Sequence, residues 1–471
     1  MYDVHLRGMD NITRYGAAVA NLNKITLVMI DDRPIFNHIN GGVFWEALPI
    51  SMHDVERIEI IKGPSSALFG PNAVTGTINI VTKKLDNSGF STNGNIQYGS
   101  FNTIVGGVSA GIKSGKFNAI LSGNVDMRDR YTSKYYEYVG QRFVDSHYEL
   151  INASGRPLTD PDIEYPTPSK AVGRYGFNAF LSYNIADDIT IGLDAGMQDT
   201  ERQAYLFTSG HTPLSFASLK SEYVNFTTKF KGLKVRYSYT QGDDALIYSV
   251  LSKDAGSYSY VLNEVFIDYI WSINSKLSLQ PGFNYQHANY SKYDPVKTTA
   301  GSLRLDYYPL DNWRLIAAVR LDKFSIPDDT YISYQFASTY KINENNLVRA
   351  VVSRSNSGAF LGSTLLDIEF EFPIQGLPLP GMVSFKGNPE LRLFSLDLIE
   401  AGYRTRLSQN VDLNFDFYSQ TGTNFFSQIN HVIPQGYLSF VSTNVKLENL
   451  ETVSRQNGVS VSVNYVTNSK L

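Results

Sequence analysis

Four stretches of this chain repeat one pattern, and that pattern confines it to a small set of all-β folds. Ile189, Ile191, Leu193, Ala195 and Met197 alternate with Thr190, Gly192, Asp194, Gly196 and Gln198. Leu233, Val235, Tyr237 and Tyr239 alternate with Lys234, Arg236, Ser238 and Thr240, and the same rhythm returns over 277–286 and 411–418. Side chains on a strand point alternately to opposite faces, so each stretch has one apolar and one polar face. A water-soluble sandwich would turn the polar face to solvent, whereas a membrane barrel turns the apolar face to lipid and the polar face to a wet lumen. Alternation alone does not choose between them.

Connection length does. Tight connections are predicted near Ser114-Gly115, Asp187-Asp188, Lys231-Gly232, Asn274-Ser275, Asp311-Asn312, Asn343-Glu344 and Ser408-Gln409. Between them fall longer ones, near 129–170, 199–218, 242–258, 290–297, 324–330, 357–392 and 421–437. Short turns on one rim and long loops on the other are the habit of transmembrane barrels, whereas a sandwich spreads its loops over both ends. Charged residues are 18% of the chain, below the usual quarter, while 31 Tyr and 27 Phe are enough for aromatic girdles. No apolar run approaches the roughly 18 residues of a membrane helix, so a membrane-spanning chain of this kind needs a closed barrel to satisfy its backbone. Cysteine is absent, which removes disulfides and thiolate metal sites. A net charge of −4 without a basic block argues against nucleic-acid binding.

Residues 53–84, HDVERIEIIKGPSSALFGPNAVTGTINIVTKK, differ from everything that follows. A strand with Val55, Ile58 and Ile60 leads through Gly63, Pro64, Gly70, Pro71 and Gly76 into a second strand, Thr77–Val81. That density of chain-reversing residues resembles the end of the plug domain of TonB-dependent outer-membrane receptors. Upstream, LRG at 6–8 and LVMIDDRPIFN at 27–37 match the same plug in the same order. The resemblance implies a small α/β plug (1–84, partial) inside an all-β, antiparallel transmembrane barrel (85–471). About sixteen strands are counted, where plugged transporters close at about 22. The family's TonB-pairing segment and its usual aromatic C-terminal residue are not matched, so the expectation is a fragment. Strand parity then predicts a curved sheet with a gap between the strand near 90–99 and that near 453–466.

The resemblance also implies site residues. GNPELRLFSLDLIEAGYRTRL at 387–407 is similar to a family segment whose strand glutamate, here Glu400, pairs with plug arginines. Its plug partners by motif are Arg7, Arg57 and Lys62; a second family glutamate is replaced by Ser460. The bland alternative leaves these as solvated strand charges. Ligand contacts are expected from the plug loops, through Arg14, Tyr15, His38, Asn40, Phe44 and Trp45, and from the tyrosine-rich 129–170 loop through Tyr135, Tyr136 and Tyr138. Phe44 and Trp45 equally suit packing inside the plug, His38 a hydrogen-bonded loop position, and the tyrosines self-packing or a lipid-boundary girdle. Asp367, Glu369 and Glu371 occupy alternate positions, as a solvated acidic edge or a hard-cation site would require.

No catalytic constellation is found. The seven histidines give no HExxH, GPSSALFGP lacks the Lys-Ser/Thr of a phosphate loop, and no GxSxG elbow occurs. Neither an enzyme nor a resident cofactor is expected. The resemblance implies an importer in a Gram-negative outer membrane, energised by TonB and moving a bulky, scarce solute. A ferric siderophore is the leading cargo, with cobalamin, haem or glycan as alternatives. A passive porin-like or surface-binding barrel is the competing class, and a plug inside the lumen distinguishes the two.

Overall fold

The computed structural model describes residues 6, 25–39, 41–137, 140–146, 149, 169–203, 216–247, 257–372, 381–433 and 442–466. The N-terminal unit is a four-stranded mixed sheet of β1 (Thr26–Ile30), β2 (Arg33–Pro34), β3 (Val55–Lys62) and β4 (Gly76–Thr82), in the order β2-β1-β4-β3. β1 runs parallel to β4, pairing Thr26 with Gly76 through Ile30 with Ile80. All five residues of β1 are buried, the unbroken apolar reading of a strand covered on both faces. Asp31 and Asp32 both have positive φ and form the two-residue link from β1 to β2. Aspartate tolerates that conformation better than most side chains. Asp31 also accepts hydrogen bonds from the Thr82 backbone and hydroxyl, and the Asp32 N–H donates to Asn79. The segment read only as chain-reversing contains one helical turn, α1 (Ser66–Phe69), closed by Gly70 at φ +97°.

Among the described residues, one antiparallel sheet that closes into a barrel dominates from Gly89 to Tyr465. Its strands number sixteen once Ser257–Tyr269 and Trp271–Asn274, which share the partner Leu277–Tyr290, are taken as one strand broken at Ile270. Described strand lengths run from 11 to 18 residues apart from that short continuation, enough to cross a hydrocarbon layer that needs about 9–11 tilted residues. The alternation resolves as membrane chemistry requires. Leu193, Phe226 and Tyr237 sit side by side on three neighbouring strands and are about 40% exposed on the outside. One residue along each strand, Asp194, Asn225 and Ser238 form the matching inward row. Apolar outside and polar inside is the inverse of a soluble sandwich.

The strand order brings Ser454–Tyr465 round next to Gly89–Gly99. The strand order is that of a closed barrel, so the gap expected between these two strands is not found, and Gly89–Gly99 is laddered on its other side to Thr103–Ser114 and Ser454–Tyr465 to Val411–Thr423. Residues 89–98 are exposed at every position, so neither face of that strand is covered.

Two of the expected long loops are short. Tyr290 and Tyr293 flank a two-residue turn, because the flanking strands extend through the segment read as loop. Residues 325–329 likewise form a compact turn between Trp313–Phe324 and Thr330–Asn343. The connections at 129–170, 357–392 and 421–437 carry structure of their own among the described residues. Tyr135–Glu137 pairs with Arg142–Val144, and Asp367–Phe372, Gly381–Lys386, Ser442–Asn449 and Phe426–Ile433 form a separate four-stranded sheet.

Candidate functional site: the plug floor and its barrel contacts

The loop after β2 meets the barrel at the rim of long loops. Asn37 organises it: its Oδ1 accepts from the Ile39 N–H, while its amide donates to Asp244 at 3.0 Å and to the Tyr258 hydroxyl at 2.8 Å. The backbone N–H of His38 donates to the Tyr290 hydroxyl at 3.1 Å. Tyr258, Tyr260 and Tyr290 make a contiguous aromatic wall, with the last two stacked at 5.5 Å. From the far side, the Leu361 and Gly362 N–H groups donate to the His38 and Ile39 carbonyls. Ile39 joins Tyr258, Tyr290, Val296 and Leu361 in an apolar cluster spanning plug and barrel. A cavity of about 110 Å³ lies beneath this loop, bordered by His38, Asp244, Gln286 and Tyr290. A larger one, about 440 Å³, follows the plug flank from Phe36 and His38 past α1 and Arg320 to Lys231 and Gly232.

His38 is buried, and its Nε2 lies 3.3 Å from the Gln286 amide oxygen. Burial pulls the imidazole down to about 4, with the Gln286 contact opposing weakly. Free histidine titrates near 6.5, so below that pH the unfolded chain takes up a proton that the folded plug refuses. This contribution is complete above pH ~6.5 and falls away between ~6.5 and ~4, by about 3 kcal/mol. Unfolding followed from pH 7 to pH 4 should show this loss in the parent and not in His38→Gln. Equal slopes in the two proteins would contradict it.

Phe44 packs on Ala217 and Leu219 of the barrel and beneath the Arg202 guanidinium, 5.1 Å from its ring centre. Trp45 packs on the plug core of Val28, Ile30, Val43, Leu48, Ile50 and Ile80. Tyr135 is buried under Arg130 at 4.1 Å, and Tyr136 meets Phe143 edge-on at 5.2 Å. Arg7, Arg14, Tyr15, Asn40 and Tyr138 lie outside the described residues, as do the side chains of Glu369 and Glu371. Among the described residues, no group of three or more metal-ligating side chains converges.

Glu400 faces inward and pairs with Arg349 at 2.8 Å, a guanidinium that also reaches Asp416 at 2.9 Å. Arg57 is exposed and divides its ion pairs between Glu56 and Glu59, both at 2.8 Å. Lys62 closes the same exposed strand, β3, on which Ile58 and Ile60 are also about half exposed. The structure thus gives Arg57 local partners on its own strand.

Barrel cations reach plug carbonyls and carboxylates as well. Arg174 donates to the carbonyls of Leu48, at 3.0 Å, and Ile50. Arg236 donates to the Asp32 carbonyl at 2.6 Å and faces Glu264 at 3.4 Å, while Lys234 pairs with the Asp32 carboxylate at 3.0 Å. Burial pushes the Asp32 carboxyl up, but Lys234 and Arg236 outweigh it and hold the group below its ordinary value. His53 bridges Asn95 and Ser109 at 2.9 and 3.0 Å, and α1 is held by the Ser66 N–H donating to Ser355. The sequence signal for Arg174 and Arg236 was present: each is a cation in the inward phase of an alternating strand.

The plug-like segment also matches by sequence. Residues 2–77 match the TonB-dependent receptor plug domain. The chain is 31% identical over 70 residues to the vitamin B12 transporter BtuB of Vibrio vulnificus, covering 15% of this chain and 11% of that one. It is 34% identical over 85 residues to the ferric enterobactin receptor of Pseudomonas aeruginosa, covering 16% and 11%. The alignments thus span about a tenth of these relatives' own length. The fold is similar to the siderophore receptor PirA from Acinetobacter baumannii, with a TM-score of 0.66 at 14% identity over 93% of this chain and 70% of that one. It is similar too to the ferric enterobactin receptor PfeA from Pseudomonas aeruginosa, with a TM-score of 0.68 at 13% identity over 94% and 70%. A plug sheet of this sequence, seated inside an antiparallel barrel with an apolar exterior, identifies residues 2–77 as a TonB-dependent receptor plug domain and gives the chain the fold of the plugged outer-membrane receptors.

Proposed function

We propose that this chain, with 1–84 as plug and 85–471 as barrel, serves energised import of a bulky, scarce solute, a ferric siderophore foremost. The observation that carries this reading is the chemistry of the plug–barrel boundary. Arg174, Lys234, His53 and Asn37 hold the plug by exposed or part-buried hydrogen bonds and ion pairs that water can replace. Such contacts can be exchanged when the plug is pulled, whereas a continuous dry core would resist. A passive pore has no use for that arrangement. TonB, acting from the periplasmic side, is the implied source of force. In this reading Arg14, Tyr15, His38, Asn40, Phe44, Trp45, Tyr135, Tyr136 and Tyr138 are the candidate ligand contacts, of which His38, Trp45 and Tyr135 would have to be uncovered from their present packing. Arg7, Arg57, Lys62 and Glu400 are the candidate plug–barrel lock, in which Arg57 would have to exchange Glu56 and Glu59 for Glu400, itself shared with Arg349. Two structural neighbours are a siderophore receptor and a ferric enterobactin receptor, which supports an iron chelate, and the vitamin B12 transporter among the sequence relatives supports cobalamin as the alternative.

The test is uptake by cells carrying the complete gene as their sole receptor, offered ferric catecholate and hydroxamate chelates, cobalamin and oligosaccharides in parallel. Chelate uptake that stops when the proton gradient is collapsed is the expected result. Uptake indifferent to the gradient would reject energised import. Gradient-dependent uptake of cobalamin or glycan alone would keep the mechanism and replace the cargo.

A further inference from the structure

On the opposite side of the plug from the floor loop, at the rim of tight turns, a cavity of about 350 Å³ separates the plug sheet from the barrel wall. Its plug side is the Asp31-Asp32 turn with the neighbouring edges of β3 and β4, and its barrel side runs from Asn118 to Arg236. Seven basic side chains line it against four carboxylates. Internal pairing removes Lys234 with Asp32 and Arg57 with Glu59, and Asp31 is occupied by Thr82. Asp194 is the acidic group left on the barrel wall.

Two of the cations are buried and incompletely used. Arg33 is 5% exposed, lies 4.3 Å over the Tyr223 ring and donates from Nη1 to the Thr240 hydroxyl at 3.3 Å. Its Nε and Nη2 meet no acceptor among the described residues. Arg236, 4% exposed, is likewise without an acceptor at Nε. Buried guanidinium donors without acceptors are costly, and the low local dielectric strengthens their attraction for any anion that reaches them. A planar guanidinium also offers paired N–H groups that fit a carboxylate or phosphate edge.

We propose that this cavity is a binding site for a small oxygen-rich anion, carboxylate or phosphate, anchored on Arg33 and Arg236 with Lys229 at its mouth. Its volume falls in the range of small-ligand pockets, about 300–1,000 Å³. The site stands on the cavity and its donors and does not depend on which solute the barrel imports.

The experiment is calorimetric titration of the detergent-solubilised full chain at low ionic strength with succinate and, separately, inorganic phosphate. Saturable one-site binding of either is expected, and the stronger of the two assigns the anion class. Arg33→Gln should weaken it by about 10- to 100-fold, the worth of a charge-assisted hydrogen bond. Lys229 is exposed, so Lys229→Gln leaves the plug packing intact and should weaken binding several-fold. Hydrogen exchange of β1 verifies that each variant keeps its plug. Absence of saturable binding at millimolar concentration would overturn the proposal, leaving water as the sole occupant. Binding equally strong in both folded variants would overturn it too.

Discussion

Replacing Arg236 with leucine should loosen the plug by about 3–5 kcal/mol, the cost of removing one partner from a buried ion pair. Arg236 and Glu264 are 5% and 10% exposed in their side chains, so neither can turn to water when the other is lost. In Arg236→Leu, Glu264 retains only the Asn284 amide, at 2.9 Å, of its described partners. The Asp32 carbonyl loses its barrel donor in the same step. Amide exchange over Thr26–Arg33 measures the effect directly, because the Asp31-Asp32 turn is tied to the barrel there. A companion variant separates the loss of a contact from the stranding of a charge. Arg236→Leu combined with Glu264→Leu removes both ions, and much of the lost stability should return. Exchange rates that are unchanged in the single variant would show that Arg236 does not hold the plug. A double variant as loose as the single one would show that the Asp32 carbonyl bond, rather than the buried pair, carries the energy.

The architecture was legible because the barrel's chemistry is written at the period of the strand. Leu193 and Tyr237 outward with Asp194 and Ser238 inward follow from alternation once lipid is the outer solvent. The tight turns were legible too, since two polar or glycine residues between apolar runs leave the chain little choice. The loops were not. The stretch 290–297 reads as a loop because Ser291, Lys292 and Asp294 are polar, yet strands here extend beyond the lipid band into water, where polar side chains sit well on a strand. The site was legible only as location. Sequence pointed to the floor loop around His38, and the structure brings that loop against Tyr258 and Tyr290. It could not show that barrel arginines reach plug carbonyls, because a carbonyl leaves no mark in the sequence. Nor could it foresee that Arg57 would be taken by Glu56 and Glu59 on its own strand. Those partners alternate with it along β3, and short-range charge pairs compete with any long-range motif partner.

Gly41 is the residue of the floor loop least able to change, and Gly41→Ala should cost about 2–5 kcal/mol. Two separable causes add. Its φ of +81° lies in the left-handed region, where a Cβ costs about 1–2 kcal/mol. A Cβ built there would also overlap the Phe360 ring, which is itself 5% exposed and has nowhere to retreat. Forcing volume into a filled site costs about 1–3 kcal/mol more. Phe360 begins the helical turn Leu361–Thr364, whose N–H groups hold the His38 and Ile39 carbonyls, so its displacement would open the floor from the barrel side. A double-mutant cycle with Phe360→Ala resolves the two parts. Removing the ring creates a cavity and destabilises by itself, but Gly41→Ala made in that background should cost only the backbone portion. The coupling between the positions is then favourable by about 1–3 kcal/mol, matching the steric part. Equal cost of Gly41→Ala in both backgrounds would mean that the loop shifts away from the ring. In that case the floor around His38 is held by Asn37 and its partners Asp244 and Tyr258, with no share from the Phe360 wall.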